Sequence, residues 1–236
     1  MKRRALLLLT LALAACGKTT PTFHSTGTLP PGGALVLRNA VGNIEAYAPE
    51  MGQTPATYTV EFFGPPEQQP KVTKSGAVVT VAPAGFTTNN RYLLRAPKNT
   101  TLSISTQNGS INVEDVDAVV NAETGTGAIN VMSLQYANAR TSTGNIQASF
   151  GSTDWTGTLH FGATKGDVVV YVNATANSHV HLHTAHGSIF TDFPLRGTSS
   201  GQSETIDGVL NGGARRAIDI EVGEGVIRLL QLKPQA

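Results

Sequence analysis

The chain has 236 residues, with 17 basic and 16 acidic side chains, 40% hydrophobic residues and a single cysteine. One thiol excludes a disulfide within the chain, so oxidative stapling does not stabilise it. The near-balance of charge argues against the concentrated basic face that phosphate contacts need, and with it against nucleic acid as a partner.

Lys2, Arg3 and Arg4 precede an apolar run from Leu6 to Ala15. A bilayer-spanning helix takes about 20 apolar residues, so this shorter run reads as an export leader over residues 1–15. The run ends in Leu13-Ala14-Ala15-Cys16-Gly17, which resembles the bacterial lipobox. That resemblance implies cleavage before Cys16 and diacylglycerol on its sulfur. Acyl chains contribute about 0.8 kcal/mol per buried methylene, so more than one holds a protein at a membrane permanently. The competing reading is an ordinary secretory leader cut nearby. Gly17 differs from the Asp associated with inner-membrane retention in enteric-type envelopes, which favours an outer membrane where one exists. Removal of the leader leaves 14 basic against 16 acidic residues, a net charge of −2. Residues 16–33, rich in Thr, Pro and Gly, are expected to be the lipidated cysteine and a flexible tether.

Residues 34–232 carry the body. Tyr58–Phe62, Ala77–Val81 and Tyr92–Ala96 alternate apolar and polar side chains and predict strands in irregular opening repeats. A tetrad then recurs: Asn108-Gly109-Ser110-Ile111, Thr126-Gly127-Ala128-Ile129, Thr143-Gly144-Asn145-Ile146, Lys165-Gly166-Asp167-Val168 and His186-Gly187-Ser188-Ile189. Earlier and later copies are Val41-Gly42-Asn43-Ile44 and Glu224-Gly225-Val226-Ile227. From Gly109 the glycines are spaced by 18, 17, 22 and 21 residues, then by 38. A period near 20 predicts a stacked repeat, with a long loop at 196–214 accounting for the wide last interval.

Alignment on the glycine sorts the residues into columns. Seven before it stand Leu35, Leu102, Val120, Ala137, Leu159, Val180 and Ile218. Five before it stand Leu37, Ile104, Ala122, Ala139, Phe161, Leu182 and Ile220. Two after it stand Ile44, Ile111, Ile129, Ile146, Val168, Ile189 and Ile227. All are apolar, and the positions between them are mostly polar, so each repeat is strand, tight turn, strand with one face inward. The turn needs glycine for a positive φ. One unit cannot bury its apolar face alone; stacking at about 4.8 Å gives an all-β fold, a single β-solenoid. An up-and-down sandwich of hairpins satisfies the same alternation. The alanines at 122, 137 and 139 predict a core that narrows mid-stack.

The run from Tyr92-Leu93-Leu94-Arg95-Ala96-Pro97-Lys98 through Leu102-Ser103-Ile104 to Asn108-Gly109-Ser110-Ile111-Asn112-Val113 resembles the signature of a bacterial putative-adhesin β-strand-repeat family, a domain of unknown function. The resemblance covers roughly residues 34–230. It implies a cell-envelope protein with no catalytic residues to carry over.

Five of the six histidines lie between His160 and His186. Under the glycine alignment His160, His181, His183, Asp219 and Glu221 share neighbouring outward columns, a composition suited to a divalent metal. A histidine-rich solvated face is the plainer reading. There is no Gly-x-Ser-x-Gly elbow, P-loop or His-Glu-x-x-His motif, so no catalytic set is expected. The sequence therefore points to a non-enzymatic, lipid-anchored binding or structural protein with an envelope or extracellular protein or glycan as partner. A polysaccharide-active enzyme and a metal-binding envelope protein are the alternatives.

Overall fold

Alternating side chains are realised as strand along nearly the whole body. The computed structural model describes residues 20–85, 90–213 and 216–232; the leader and Cys16 lie outside them. The opening strands are β1 (Phe23–Thr28), β2 (Ala34–Val41), β3 (Asn43–Tyr47), β4 (Thr57–Phe63), β5 (Lys71–Ser75), β6 (Val78–Ala82) and β7 (Arg91–Arg95). Four strand-turn-strand units follow: β8 (Thr100–Asn108) with β9 (Ile111–Val116), β10 (Ala118–Thr126) with β11 (Ile129–Ser133), β12 (Ala137–Thr143) with β13 (Ile146–Phe150), and β14 (Gly157–Lys165) with β15 (Val168–Asn173). The chain ends with β16 (Ser178–His186), β17 (Ile189–Thr191), β18 (Gly197–Ser200), β19 (Ser203–Leu210), β20 (Arg216–Glu224) and β21 (Ile227–Leu232).

These strands form two large sheets. Sheet A has the order β1-β4-β7-β3-β9-β11-β13-β15-β21-β17, and sheet B has β18-β19-β16-β20-β14-β12-β10-β8-β2-β6-β5. Each unit sends its first strand to sheet B and its second to sheet A. Neighbouring units pair in parallel, with like columns in register: Ile111, Ile129 and Ile146 are successive partners, as are Ile104, Ala122 and Ala139. Inward columns of both sheets join one hydrophobic core. A one-residue slip would turn each apolar column to solvent, so the core fixes the register.

The glycine turns show why that residue recurs. Six of the seven, Gly42, Gly109, Gly127, Gly144, Gly166 and Gly225, have φ between +122° and +154°; Gly187 does not. All the same, a Cβ on Gly187 would be driven into the carbonyl oxygen of Gly225, just as one on Gly127 would meet that of Gly109. Close stacking of turn on turn thus excludes a side chain at Gly187 too. The column three before the glycine also points inward and is mostly threonine. Thr106, Thr124, Thr141 and Thr184 donate their hydroxyls to the carbonyls of Gly42, Gly109, Gly127 and Gly225 of the neighbouring unit, at 2.8–3.2 Å. Just after the glycine, Asn43, Asn145 and Asp167 accept from the backbone N–H of Ser110, Asp167 and Val226 at 2.9 Å. Buried polar groups need such partners, and the turn supplies them itself.

The three alanines do not leave a thin core. Phe161 lies beside Ala139 in register, Phe150 stacks on Phe161 at 6.1 Å, and Trp155 meets Phe150 edge-on at 5.7 Å. Large side chains on one unit fill the space left by small ones on the next.

Two further expectations are corrected, and the stacking order is a third feature that alignment of the repeats does not reveal. The stretch assigned to the tether contains β1, which pairs antiparallel with β4 from Phe23↔Phe62 to Thr28↔Thr57. It is an edge strand, so backbone bonding on one side suffices and its polar sequence gives no apolar signal. The folded body therefore begins before residue 34. Within the stretch predicted as a long loop, β18 and β19 form an antiparallel hairpin, and β19 pairs antiparallel with β16. Third, the units do not stack in sequence order. β20 lies between β14 and β16, and β21 between β15 and β17, so the last repeat is inserted between the two before it. At the other end β2 sits between β6 and β8 in the same manner.

Candidate functional site on the outer face of sheet B

The insertion of β20 decides which outward residues become neighbours. Six before the glycine, the order in space is Val36, Ser103, Asn121, Asn138, His160, Asp219 and His181. Four before it, the order is Arg38, Ser105, Glu123, Arg140, Gly162, Glu221 and His183. Every member of the second column carries a charged or polar side chain except Gly162. Gly223 and Ala185 are similarly small in the adjoining column two before the glycine. These gaps open a depression of about 520 Å³, walled by Glu123, Arg140, Ser142, His160, His183, Asp219 and Glu221. A second depression of about 240 Å³ adjoins it over β2, β8, β10 and β12 and shares Glu123 and Arg140 with it.

Four of the five residues expected to cluster do line the depression: His160, His183, Asp219 and Glu221. His181 does not. The expected metal set does not form, and among the described residues no group of three His, Cys, Asp or Glu side chains is placed to hold a metal ion. The reason lies in the hydrogen bonds. His160 Nδ1 meets Asp219 Oδ2 at 3.0 Å, His181 Nδ1 turns the other way to Asp207 Oδ1 at 2.6 Å, and His183 Nδ1 meets Thr205 Oγ1 at 2.8 Å. The hairpin that follows β16 thus takes up two imidazoles as side-chain partners. Rings of His181 and His183 lie nearly parallel, 6.4 Å apart. The hydrogen bond to Asp207 raises the pKa of His181, the charges of Asp207, Asp219 and Glu221 add to the effect, and burial opposes it.

Sequence reading missed what makes this a concavity. The signal was available: Gly162 is the one glycine in an outward column of long side chains. A Cβ there would meet nothing closer than the Glu221 carbonyl oxygen at 3.6 Å, so neither φ nor packing demands the glycine.

A mainly parallel stack of strand-turn-strand units in two sheets, with a polar hollow on one outer face, defines an all-β repeat protein. The Toastrack DUF4097 family model matches residues 78–230, and the chain belongs to that family. No curated protein matches the sequence. Among solved structures, a putative cell adhesion protein from Clostridium sporogenes ATCC 15579 shares the fold at a TM-score of 0.53 and 13% identity. The match covers 89% of this chain and 99% of that one. A putative adhesin from Bacteroides fragilis NCTC 9343 aligns at a TM-score of 0.35 and 10% identity, over 88% of this chain and 96% of that one.

Proposed function

We propose that this chain is a non-enzymatic binding protein of the cell envelope. In this reading it is a two-sided β-solenoid, anchored by lipid on Cys16, that presents the outer face of sheet B to an extracellular partner. The observation that carries the reading is the hollow at Gly162. It is a recess walled by charged and polar side chains on a frame of paired strands, the kind of pre-formed concavity that binding sites use. The name carried by the Clostridium protein is compatible with this role.

Geometry supports presentation away from the membrane. Five residues separate Cys16 from Thr22, whose N–H donates to Phe62 O. They reach at most about 20 Å. The unit that contains Gly162 lies seven strand spacings from β1 along sheet A, or roughly 34 Å at the usual interstrand distance. A partner outside the envelope would meet the hollow before it met the lipid.

The test is to fill the hollow. Gly162→Tyr points outward, its Cβ in ordinary contact with the Glu221 carbonyl oxygen, and suits a strand, so the fold and melting temperature are retained. Cells displaying this variant lose attachment to the surfaces that cells with the unaltered protein hold. Undiminished attachment, with the variant folded and displayed, contradicts the proposal.

A further inference from the structure

Among the described residues, four of the seven arginines have a carboxylate beside them. Arg91, Arg95, Arg216 and Arg228 are ion-paired with Glu45, Glu50, Asp154 and Asp167. Arg38 and Arg140 are not: both are exposed on the same outward column, and neither has a carboxylate within 4.0 Å among the described residues. Exposed Arg196, on the link to the terminal hairpin, also lacks one, but it stands outside both depressions. β2 and β12 are three strand spacings apart, which sets Arg38 and Arg140 about 14 Å from each other along the smaller depression.

Between them the floor mixes hydroxyls and amides with aliphatic groups. Ser103, Ser105, Asn121 and Asn138 line it. Asn138 donates to Asn121 Oδ1 at 2.9 Å and accepts the His160 N–H at 2.8 Å, so its amide is held in one orientation. The adjoining Glu123 faces Arg140 in register without closing to a salt bridge. Val36, Ile104, Ala122 and Ala139 also line the floor, and no aromatic residue does. Protein interfaces are anchored by aromatic residues, so a lining with two unpaired guanidinium groups, hydroxyls and amides but no aromatic fits an anionic, hydroxyl-rich polymer better than a polypeptide.

We infer that the outer face of sheet B binds an acidic polysaccharide of the uronate class, laid across the strands from β2 toward β14. Carboxylates of the polymer pair with Arg38 and Arg140, whose planar guanidinium groups match a carboxylate in two-point geometry. Sugar hydroxyls meet Ser103, Ser105, Asn121 and Asn138. A carboxylate is repelled beside Glu123 and again at Asp219 and Glu221, which mark the far end, so the polymer's charges seat at the two arginines. This inference rests on the proposal that sheet B is the binding face, and it adds the chemistry of the ligand.

Calorimetric titration of the exported chain with polygalacturonate, and with dextran as the neutral counterpart, tests it. Polygalacturonate is expected to bind, more weakly at high salt, and dextran is expected not to bind. Arg38→Gln and Arg140→Gln each weaken binding about tenfold, and Arg140→Lys restores only part of the loss. Melting temperatures of the variants match the parent, since both side chains are exposed. Equal binding of dextran, or unchanged affinity in both glutamine variants, overturns the uronate inference. Absence of any polygalacturonate binding overturns it also. The binding face itself is judged separately by Gly162→Tyr: attachment lost there while polygalacturonate fails to bind retires only the ligand class.

Discussion

Thr124 illustrates what a single residue contributes to the stack. Its hydroxyl sits in the core and donates to Gly109 O at 2.8 Å, which ties one turn to the next. Parity made this position legible, because three before the glycine is in phase with the apolar columns five and seven before it. Threonine conceals the phase, since a polar side chain in an alternating strand is read as outward. Ala163 and Val222 hold the same place without a hydroxyl, so the bond is a recurrent support and not a requirement at every unit. Gly162 gives the converse case: an outward position whose small size is visible in sequence but whose meaning depends on the neighbours in space. His181 yields a pH prediction. Hydrogen bonding to Asp207 raises its folded-state pKa above the unfolded value of about 6.5. A raised histidine pKa contributes stability that is complete below the unfolded pKa and disappears as pH rises through the folded one. Asp207→Asn should therefore lower the melting temperature at mildly acidic pH, and the gap from the parent should shrink at mildly alkaline pH. Thermal melts followed by circular dichroism across that range check this; a gap that widens with pH refutes the assigned pair.

At the level of elements, the informative feature is insertion of the last repeat. Ile218, Ile220 and Ile227 meet Leu159, Phe161 and Val168 on one side and Val180, Leu182 and Ile189 on the other. Sequence reveals the columns but not this order, because every unit offers the same residue classes and any two can stack. The 38-residue interval is the only hint, and a loop explains it equally well. Arg216, at the start of β20, fastens the inserted unit to the turn between β13 and β14. It donates Nε to Trp155 O at 2.8 Å and Nη1 to Thr153 O at 3.0 Å, and it pairs with Asp154. Arg216→Ala removes all three, which should destabilise by about 2 kcal/mol. For a chain of this size that lowers the melting temperature by roughly 4–8 °C. No change in melting temperature would mean that strand pairing alone holds the inserted unit. The opening strand β1 was hidden for a different reason: an edge strand is bonded on one side only and shows half-buried Phe23, Ser25 and Gly27 in place of an apolar stripe.

The whole molecule is a stack with its ends covered. Sheet B closes with the antiparallel pairs β5–β6 and β18–β19, and sheet A with β1 at one end and the three-residue β17 at the other. Short or antiparallel ends keep a parallel stack from adding further copies. The all-β class and the core columns were legible because period-2 alternation and a glycine every 17–22 residues leave few other solutions. The candidate histidine–acid site was half legible: four of its five residues share the hollow, but the hairpin on β16 draws His181 away to Asp207. The outer faces of sheets A and B compete for the role of binding surface, and the proposed one is sheet B. One measurement decides between them. In a chain whose Cys16 is replaced by Ser, an environment-sensitive fluorophore is placed on Ser142→Cys, at the rim of the hollow. The same fluorophore is placed separately on Asn130→Cys, which is exposed on the outer face of sheet A. On titration with polygalacturonate the label at position 142 should change emission and the label at position 130 should not; an equal response at both positions, or a response at 130 alone, contradicts the assignment.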